Sequence, residues 1–375
     1  MLIEKLQKEH PVHWKNATAI RVLTLDAVAA ANSGHSGMPM GMADVATVLF
    51  FNHLKFDPKT PSWPDRDRLI LSAGHGSMLL YSLLYLTGYE DFPIEEIKNF
   101  RQLGARTAGH PENFLSQAIE TTTGPLGQGI ANSVGFAMAE EIQRAKFGKN
   151  VIDHYTYVFA GDGCLMEGIS QEAITLAGRQ ELSKLIVFWD NNNITIDGKV
   201  DLADATNQVD RFKSSGWHVL EIDGHNPIQI DQAIIEAKKS NKPTMIACKT
   251  HIALGSSAQD TSKGHGALTD KSLIEETKKV YGWSQDAFFV PTEVKAAWEK
   301  IGKKGHEKKL YWENRFSAIS QKKQSEFLRI YSMEVPVALN KAINKFKKTV
   351  VFDHPKVATR TSSEMVLNVI NPIMT

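Results

Sequence analysis

The sequence YTYVFAGDG, residues 155–163, joins a short β-rich run to an aspartate between two glycines. Similar β-rich runs follow at residues 185–190, 217–222 and 244–249, and helical patterns lie between them at residues 168–179 and 227–239. Alternation of short strands and helices is typical of βαβ units, which form a parallel sheet covered by helices on both faces. The sequence therefore predicts an α/β fold whose parallel sheet is flanked by helices.

Polar side chains follow two of these strands at the point where each strand ends. Asp162 comes directly after the first run, and Asn192 follows the second. Ligands bind beyond the carboxyl ends of the strands in such sheets. Carboxylate and carboxamide oxygens suit a hard cation that keeps open positions for phosphate oxygens, and the flanking glycines let the backbone approach a diphosphate. The alternative is a tight turn followed by an asparagine-rich loop without a ligand.

The part of the chain before this region is predicted to hold helices at residues 13–31, 41–54 and 77–86 and a strand at residues 68–71. A glycine-rich turn at residues 124–129 begins a long alanine-rich helix that runs to about residue 145. The turn lacks the Lys-Ser/Thr pair of a P-loop and the spacing of a dinucleotide-binding loop. A Walker ATPase and a Rossmann dehydrogenase are therefore disfavoured.

Four histidines share one setting, a loop of small residues: His35, His75, His110 and His265. Imidazoles can hydrogen-bond sugar hydroxyls and exchange protons near pH 7, which suits polyol chemistry. The alternatives are structural or solvated histidines and, in principle, a zinc site, although no two of the four have short ligand spacing.

The composition restricts the class of protein. Its 375 residues carry 43 Lys and Arg against 42 Asp and Glu, so no basic surface indicates nucleic-acid binding. The two cysteines cannot build a disulfide framework, and neither a signal peptide nor an apolar run of membrane-spanning length is visible. We expect a cytoplasmic protein of about two domains, with no membrane partner.

Taken together and in order, six motifs resemble those of transketolase. They are SGHSGMPMGMAD at residues 33–44, DRDR at 65–68 leading to GHGSM at 74–78, GHPE at 109–112, TTTGPLGQGIAN at 121–132, GDGCLMEG at 161–168, and ITIDG at 194–198. The resemblance implies a thiamine diphosphate-binding fold, with a diphosphate-binding domain at residues 1–300. A helical connector at residues 301–348 and the start of a second, pyrimidine-binding α/β domain at residues 349–375 would follow.

The resemblance also implies a role for individual residues. Thiamine diphosphate would be held through Mg²⁺ or Ca²⁺, whose ligands would be Asp162, Asn192 and the backbone carbonyl of Ile194. The residues that contact the cofactor would be His75, Gly124, Pro125, Leu126, Gly163, Asn192 and His265. Substrate would be bound by His35, His110 and His265, which would also act in catalysis, and by Arg360 at the sugar phosphate. Glu167 would lie at a subunit contact.

The activity implied is the reversible transfer of a two-carbon ketol unit from a ketose phosphate to an aldose phosphate in the pentose phosphate pathway, by a homodimer. The chain departs from the family at Ser36 and Ala73, and after Arg360 its one acidic residue is Glu364, which does not match the family's activating glutamate. The alternatives are a cofactor-binding half that is inactive alone or needs a separate C-terminal chain, and a related thiamine enzyme such as deoxyxylulose-phosphate synthase.

Overall fold

A computed structural model describes residues 2–374, and the chain divides into two compact units between Glu313 and Asn314. The strands are β1 (Arg68–Leu71), β2 (Thr156–Gly161), β3 (Leu185–Asn191), β4 (Ile194–Thr195), β5 (Gly198–Lys199), β6 (His218–Asp223) and β7 (Thr244–Lys249). Helices of the first unit before the sheet's last strand are α1 (Leu2–Glu9), α2 (Pro11–Ala31), α3 (Gly37–Val48), α4 (Ser77–Thr87), α5 (Ile94–Lys98), α6 (Gln128–Phe147), α7 (Asp162–Met166), α8 (Gly168–Arg179), α9 (Gln208–Ser214) and α10 (Pro227–Ala237). The later helices are α11 (Ser262–His265), α12 (Lys271–Tyr281), α13 (Thr292–Ser317), α14 (Gln321–Tyr331), α15 (Val337–Asp353) and α16 (Thr359–Ile370).

Five strands form one parallel sheet in the order β1-β2-β3-β7-β6, which confirms the predicted α/β fold. Its central strands β2, β3 and β7 are buried along nearly their whole length, as expected for a parallel sheet flanked by helices. Helix α6 packs against β1 and β2, and α3 packs against β3. All carboxyl ends therefore meet at one edge, where Gly161 and Asp190 are paired in register.

Helix α3 begins four residues earlier than the sequence predicts. The predicted helix at residues 41–54 is instead α3, followed by a π-helical turn at Leu49–His53. Gly37 and Pro39 occupy the first turn of α3, where proline is tolerated because the first backbone N–H groups have no intrahelical partner. The loop that carries His35 is correspondingly shorter.

Both predicted domain boundaries fall inside helices. Residue 300 lies in α13, whose first half is packed within the first unit: a Cβ on Gly305 would come within 1.9 Å of the Phe56 carbonyl oxygen. Ile301, Gly302 and Gly305, at the start of the predicted connector, are therefore buried in the first unit. Residue 349 lies in α15, which continues to Asp353, so the apolar run at residues 349–352 ends a helix. The division into a cofactor domain, a connector and a second domain stays a prediction.

Within residues 2–374, no helix has both the length and the apolar character that crossing a membrane requires.

Candidate active site

A cavity of about 310 Å³ opens at the carboxyl edge of the sheet. Ten of the residues singled out from the sequence line it: His35, His75, His110, Gly124, Leu126, Asp162, Gly163, Asn192, Ile194 and His265. These residues come from seven separate segments of the chain. The parallel topology brings the segments that follow β1, β2 and β3 to the same edge of the sheet. The structure thus places the predicted ligands and histidines around one space.

Three histidines pack against one another on one side of this cavity. The ring of His75 stacks on that of His265 with centroids 5.0 Å apart, and the ring of His35 meets both edge-on, at 5.0 Å from His75 and 5.6 Å from His265. Burial, with the neighbouring imidazoles, lowers the pKa of His35 to about 4 and that of His75 to about 3. Burial also lowers the pKa of His265. These rings are therefore neutral at pH 7, and each offers one donor and one acceptor.

Asp162 begins α7 directly after β2, and its two carboxylate oxygens have different surroundings. Trp189 Nε1 donates to Oδ1 at 2.9 Å, whereas Oδ2 is buried and has no hydrogen-bond partner in the described part of the chain. Burial raises the pKa of Asp162 to about 6. A buried carboxylate oxygen without a partner is costly unless a ligand satisfies it, and a cation would do so.

The amide of Asn192 is held by two hydrogen bonds beside Asp162. Its Nδ2 donates to Asp190 Oδ2 at 2.8 Å, and its Oδ1 accepts from the backbone N–H of Ile194 at 2.9 Å. Asp190 is itself buried, and its other oxygen accepts from Thr250 Oγ1. Burial raises the pKa of Asp190 to about 7. The pair of bonds leaves the Asn192 amide with one orientation, in which the second lone pair of Oδ1 remains free for a cation.

Sequence reasoning missed Asp190 and Trp189 as members of this site. The available signal was position: both residues end a buried strand at the edge where ligands bind. What the sequence could not show is the direction of the Trp189 indole, which reaches back to the preceding strand.

The glycine-rich turn packs closely against the loop that carries His75. A Cβ on Gly74 would lie 2.7 Å from the backbone nitrogen of Gly124. A larger residue at position 74 would therefore push the two loops apart. Gly124 also has φ of +151°, a conformation that side chains other than glycine rarely adopt. The turn therefore brings backbone, rather than side chains, to the wall of the cavity.

The histidine cluster is not a zinc site in this structure. Among residues 2–374, no three His, Cys, Asp or Glu side chains come together in an arrangement that could hold a metal ion. The candidate cation ligands Asp162, Asn192 and Ile194 are not a group of that kind, because two of their three oxygens belong to an amide and a backbone carbonyl. Cys164 also lines the cavity, but it is fully buried and burial raises the pKa of its thiol, as in an unreactive apolar residue.

Comparison with known proteins agrees with the motifs. The family described as transketolase, thiamine diphosphate binding domain, matches residues 12–336. The chain belongs to the transketolase family. It is 57% identical over 375 residues to the transketolase of Rhodobacter capsulatus, covering all of this chain and 56% of that relative. The chain therefore spans about half the length of the curated relatives that it matches.

Solved transketolase structures agree with the fold. The transketolase of Campylobacter jejuni superposes with a TM-score of 0.88 at 39% identity, over 97% of this chain and 56% of that one. A Pichia stipitis transketolase solved in complex with sedoheptulose-7-phosphate superposes with a TM-score of 0.89 at 42% identity, over 96% of this chain and 54% of that one. The predicted family and fold are confirmed.

Three of the residues assigned from the transketolase resemblance lie outside the cavity lining. Pro125 belongs to the same turn as Gly124, and Glu167 is exposed between α7 and α8. Arg360 is exposed near the start of α16, in the second compact unit. Their roles at the cofactor, at a subunit contact and at a sugar phosphate stay predictions.

Proposed function

We propose that this chain is the cofactor-binding part of a transketolase, which transfers a two-carbon ketol unit reversibly from a ketose phosphate to an aldose phosphate. The observation that carries the proposal is Asp162, which has a buried, unpartnered Oδ2 and lines the same cavity as Asn192, Ile194 and the histidine cluster. A transketolase needs a cation and a diphosphate on one wall and sugar-binding groups on the other, and this cavity offers both.

The cation would be held by Asp162, by Asn192 Oδ1 and by the backbone carbonyl of Ile194. These three are hard oxygen ligands, which suit Mg²⁺ or Ca²⁺ and leave positions for diphosphate oxygens. Gly163 and the turn of Gly124 and Leu126 would contact the cofactor through backbone and apolar groups. Thiamine diphosphate, when bound, supplies the carbon nucleophile that carries the ketol unit.

The histidines would position the sugar and move its protons. His35 and His265 are neutral at pH 7, so each can accept a proton from a hydroxyl, and a nearby anionic phosphate would raise their pKa values towards neutrality. His110 also lines the cavity and would hold the ketol end. Arg360 would bind the sugar phosphate through its planar guanidinium. Consistent with this substrate class, a Pichia stipitis transketolase has been solved in complex with xylulose-5-phosphate.

A second candidate is a cofactor-binding half that turns over only with a separate C-terminal chain. The motifs leave this candidate open, because all of the residues assigned to the cofactor and the cation lie in the first compact unit. We extend both candidates to a cytoplasmic homodimer of the pentose phosphate pathway, with Glu167 at the subunit contact, on the family resemblance.

The experiment measures quenching of tryptophan fluorescence by thiamine diphosphate with MgCl₂, because Trp189 contacts Asp162 directly. We expect saturable binding that Asp162→Ala abolishes. A ketol-transfer assay with xylulose-5-phosphate and ribose-5-phosphate is then run with and without a separately produced C-terminal half of a transketolase relative. Turnover by the chain alone would eliminate the second candidate. Absence of magnesium-dependent binding would eliminate both, and release of carbon dioxide from pyruvate would indicate a deoxyxylulose-phosphate synthase.

A further inference from the structure

A buried cluster of charged side chains lies behind the cavity and takes no part in the proposed chemistry. At its centre is Asp44 of α3, which is fully buried. Its Oδ1 accepts from His13 Nε2 at 2.9 Å, and its Oδ2 accepts from Arg21 at 2.5 Å and from His225 Nδ1 at 2.7 Å. Although burial opposes ionisation, the Arg21 charge and the two histidine hydrogen bonds keep the pKa of Asp44 well below its usual range. Asp44 is therefore a carboxylate at neutral pH.

This carboxylate fixes the tautomer of His225, a ring that is 1% exposed. Because Nδ1 faces a carboxylate, Nδ1 carries the hydrogen, and Nε2 of the neutral ring is left as an acceptor. That acceptor is used: the backbone N–H of His251 donates to Nε2 at 2.9 Å. The His225 ring thus forms a bridge from a buried charge to the backbone of another segment.

The segment that receives this bridge, residues 250–266, supplies two residues to the cavity, and we call it the cavity loop. Ile252, next to His251, lines the cavity, and the following residue, Ala253, has φ of +51°. A non-glycine residue in this conformation is strained and persists only where the surroundings fix it. Backbone hydrogen bonding fixes the other side of Ile252, since Ala253 N–H donates to the Gly37 carbonyl at 3.1 Å.

The far end of the cavity loop presents His265 to the histidine cluster. It too is joined to the start of α3, because Ser36 N–H donates to the Gly266 carbonyl at 2.9 Å. Helix α3 therefore holds both ends of the cavity loop, directly through its first residues and indirectly through Asp44 and His225. Buried ion pairs often contribute little net stability, so core stabilisation does not account for this buried cluster. It is well suited to fixing one loop in one conformation.

We infer that His225 is a positioning residue: through its neutral, Nδ1-protonated ring it holds the cavity loop, and so sets where Ile252 and His265 stand. The effect on ligand binding rests on the proposed function, whereas the effect on the loop does not.

The test separates the two hydrogen bonds of the His225 ring. An asparagine side chain can keep a donor near Nδ1 but does not reach His251, whereas a glutamine can keep an acceptor near Nε2. We expect His225→Asn to retain the hydrogen bond to Asp44 and lose the hydrogen bond to the His251 backbone. We expect His225→Gln to retain the bond to the His251 backbone and lose the bond to Asp44. His218→Asn is the matched control, because His218 begins β6, the strand that ends two residues before His225, and is partly exposed beside Glu236.

Amide hydrogen exchange of the full chain measures the loop without any ligand. We expect His225→Asn to speed exchange in residues 251–260 about fivefold, the factor set by one net hydrogen bond, and to leave β2 and β3 unchanged. His225→Gln and His218→Asn should stay within twofold of the unmodified protein. Equal loop exchange in His225→Asn and His218→Asn would overturn the inference.

Two further measurements keep the outcomes distinct. Thiamine diphosphate with MgCl₂ should bind His225→Asn about fivefold more weakly than it binds His218→Asn; equal affinities would overturn the coupling to the cavity. Failure of the unmodified protein to bind would contradict the proposed function and leave the exchange result standing. If His225→Asn does not fold, nitrogen-15 NMR of the unmodified protein decides: an unprotonated Nε2 supports the inference, and a protonated Nε2 overturns it.

Discussion

Cation binding should depend on pH through Asp162, and the structure sets the size of the effect. Burial raises the pKa of this carboxyl to about 6, and a cation needs the carboxylate. The proton and the cation therefore compete for the same oxygen, so affinity falls as the pH falls below 6. At pH 5 about a tenth of Asp162 is ionised, and the apparent dissociation constant should be about tenfold higher than at pH 8 from this group alone.

The perturbation that isolates this group is Asp162→Asn. The asparagine keeps an acceptor for Trp189 Nε1, so the local packing is retained while the ionisable oxygen is lost. We expect weaker binding of thiamine diphosphate with MgCl₂ at every pH, by roughly a hundredfold at pH 8, since the one charged ligand of the proposed three becomes neutral.

The assay is a fluorescence titration of both proteins at half-unit steps from pH 5 to pH 8, at constant ionic strength. Protonation of the cofactor and of the neighbouring histidines is common to both proteins and cancels in the ratio of their dissociation constants. That ratio should shrink by about tenfold between pH 8 and pH 5. A ratio that stays constant across the range would refute the argument, because it would show that Asp162 does not exchange a proton for the cation.

Three further predictions concern other parts of the first unit. The pKa of His75 is lowered to about 3, so its ring binds a proton less tightly in the folded protein than in the unfolded chain, and stability is lost as the pH falls below about 6.5. Between pH 7 and pH 5, the free energy of unfolding of His75→Gln, measured by urea unfolding, should therefore fall by about 2 kcal/mol less than that of the unmodified protein. Gly305→Ala should destabilise the protein by at least about 2 kcal/mol, because its Cβ would overlap a backbone carbonyl. The control is Gly135→Ala, in open space on a helix, which should be neutral or stabilising by about 0.5–1 kcal/mol. Equal melting temperatures of these two variants would contradict the prediction. Asp190→Ala should weaken magnesium-dependent cofactor binding about tenfold, because the Asn192 amide loses the acceptor that orients it. Asp190→Asn can still accept from that amide, so its affinity should stay within about threefold of the unmodified protein's. Similar losses in both variants would indicate a role for the Asp190 charge instead.

Much of the fold was predictable because local patterns and topology agree. The strands at residues 68–71 and 244–249 and the helix at residues 168–179 have the bounds that the sequence predicts, since each is an uninterrupted apolar or amphipathic run between turn residues. The candidate ligands at Asp162 and Asn192 were found by the same rule, because parallel strands bring the residues beyond their carboxyl ends to one edge of the sheet. The sequence did not show that Ile301, Gly302 and Gly305 of α13 are buried, since the lysines beside them hide the inward-facing positions.

The residues that sequence reasoning could not find are those whose importance lies in a contact between distant segments. Asp44 and His225 are 181 positions apart, and neither lies in a stretch whose pattern suggests a buried ion. An aspartate on a helix and a histidine after a strand are solvated far more often than they are buried, so composition favours the wrong interpretation for both. Only the packed structure shows that one carboxylate fixes the tautomer of a ring 181 positions away, and that this ring in turn holds the loop carrying Ile252 and His265. The motifs therefore identify groups that line the cavity, while the geometry of those groups depends on a contact between Asp44, the last residue of the first motif, and His225, which lies outside every motif.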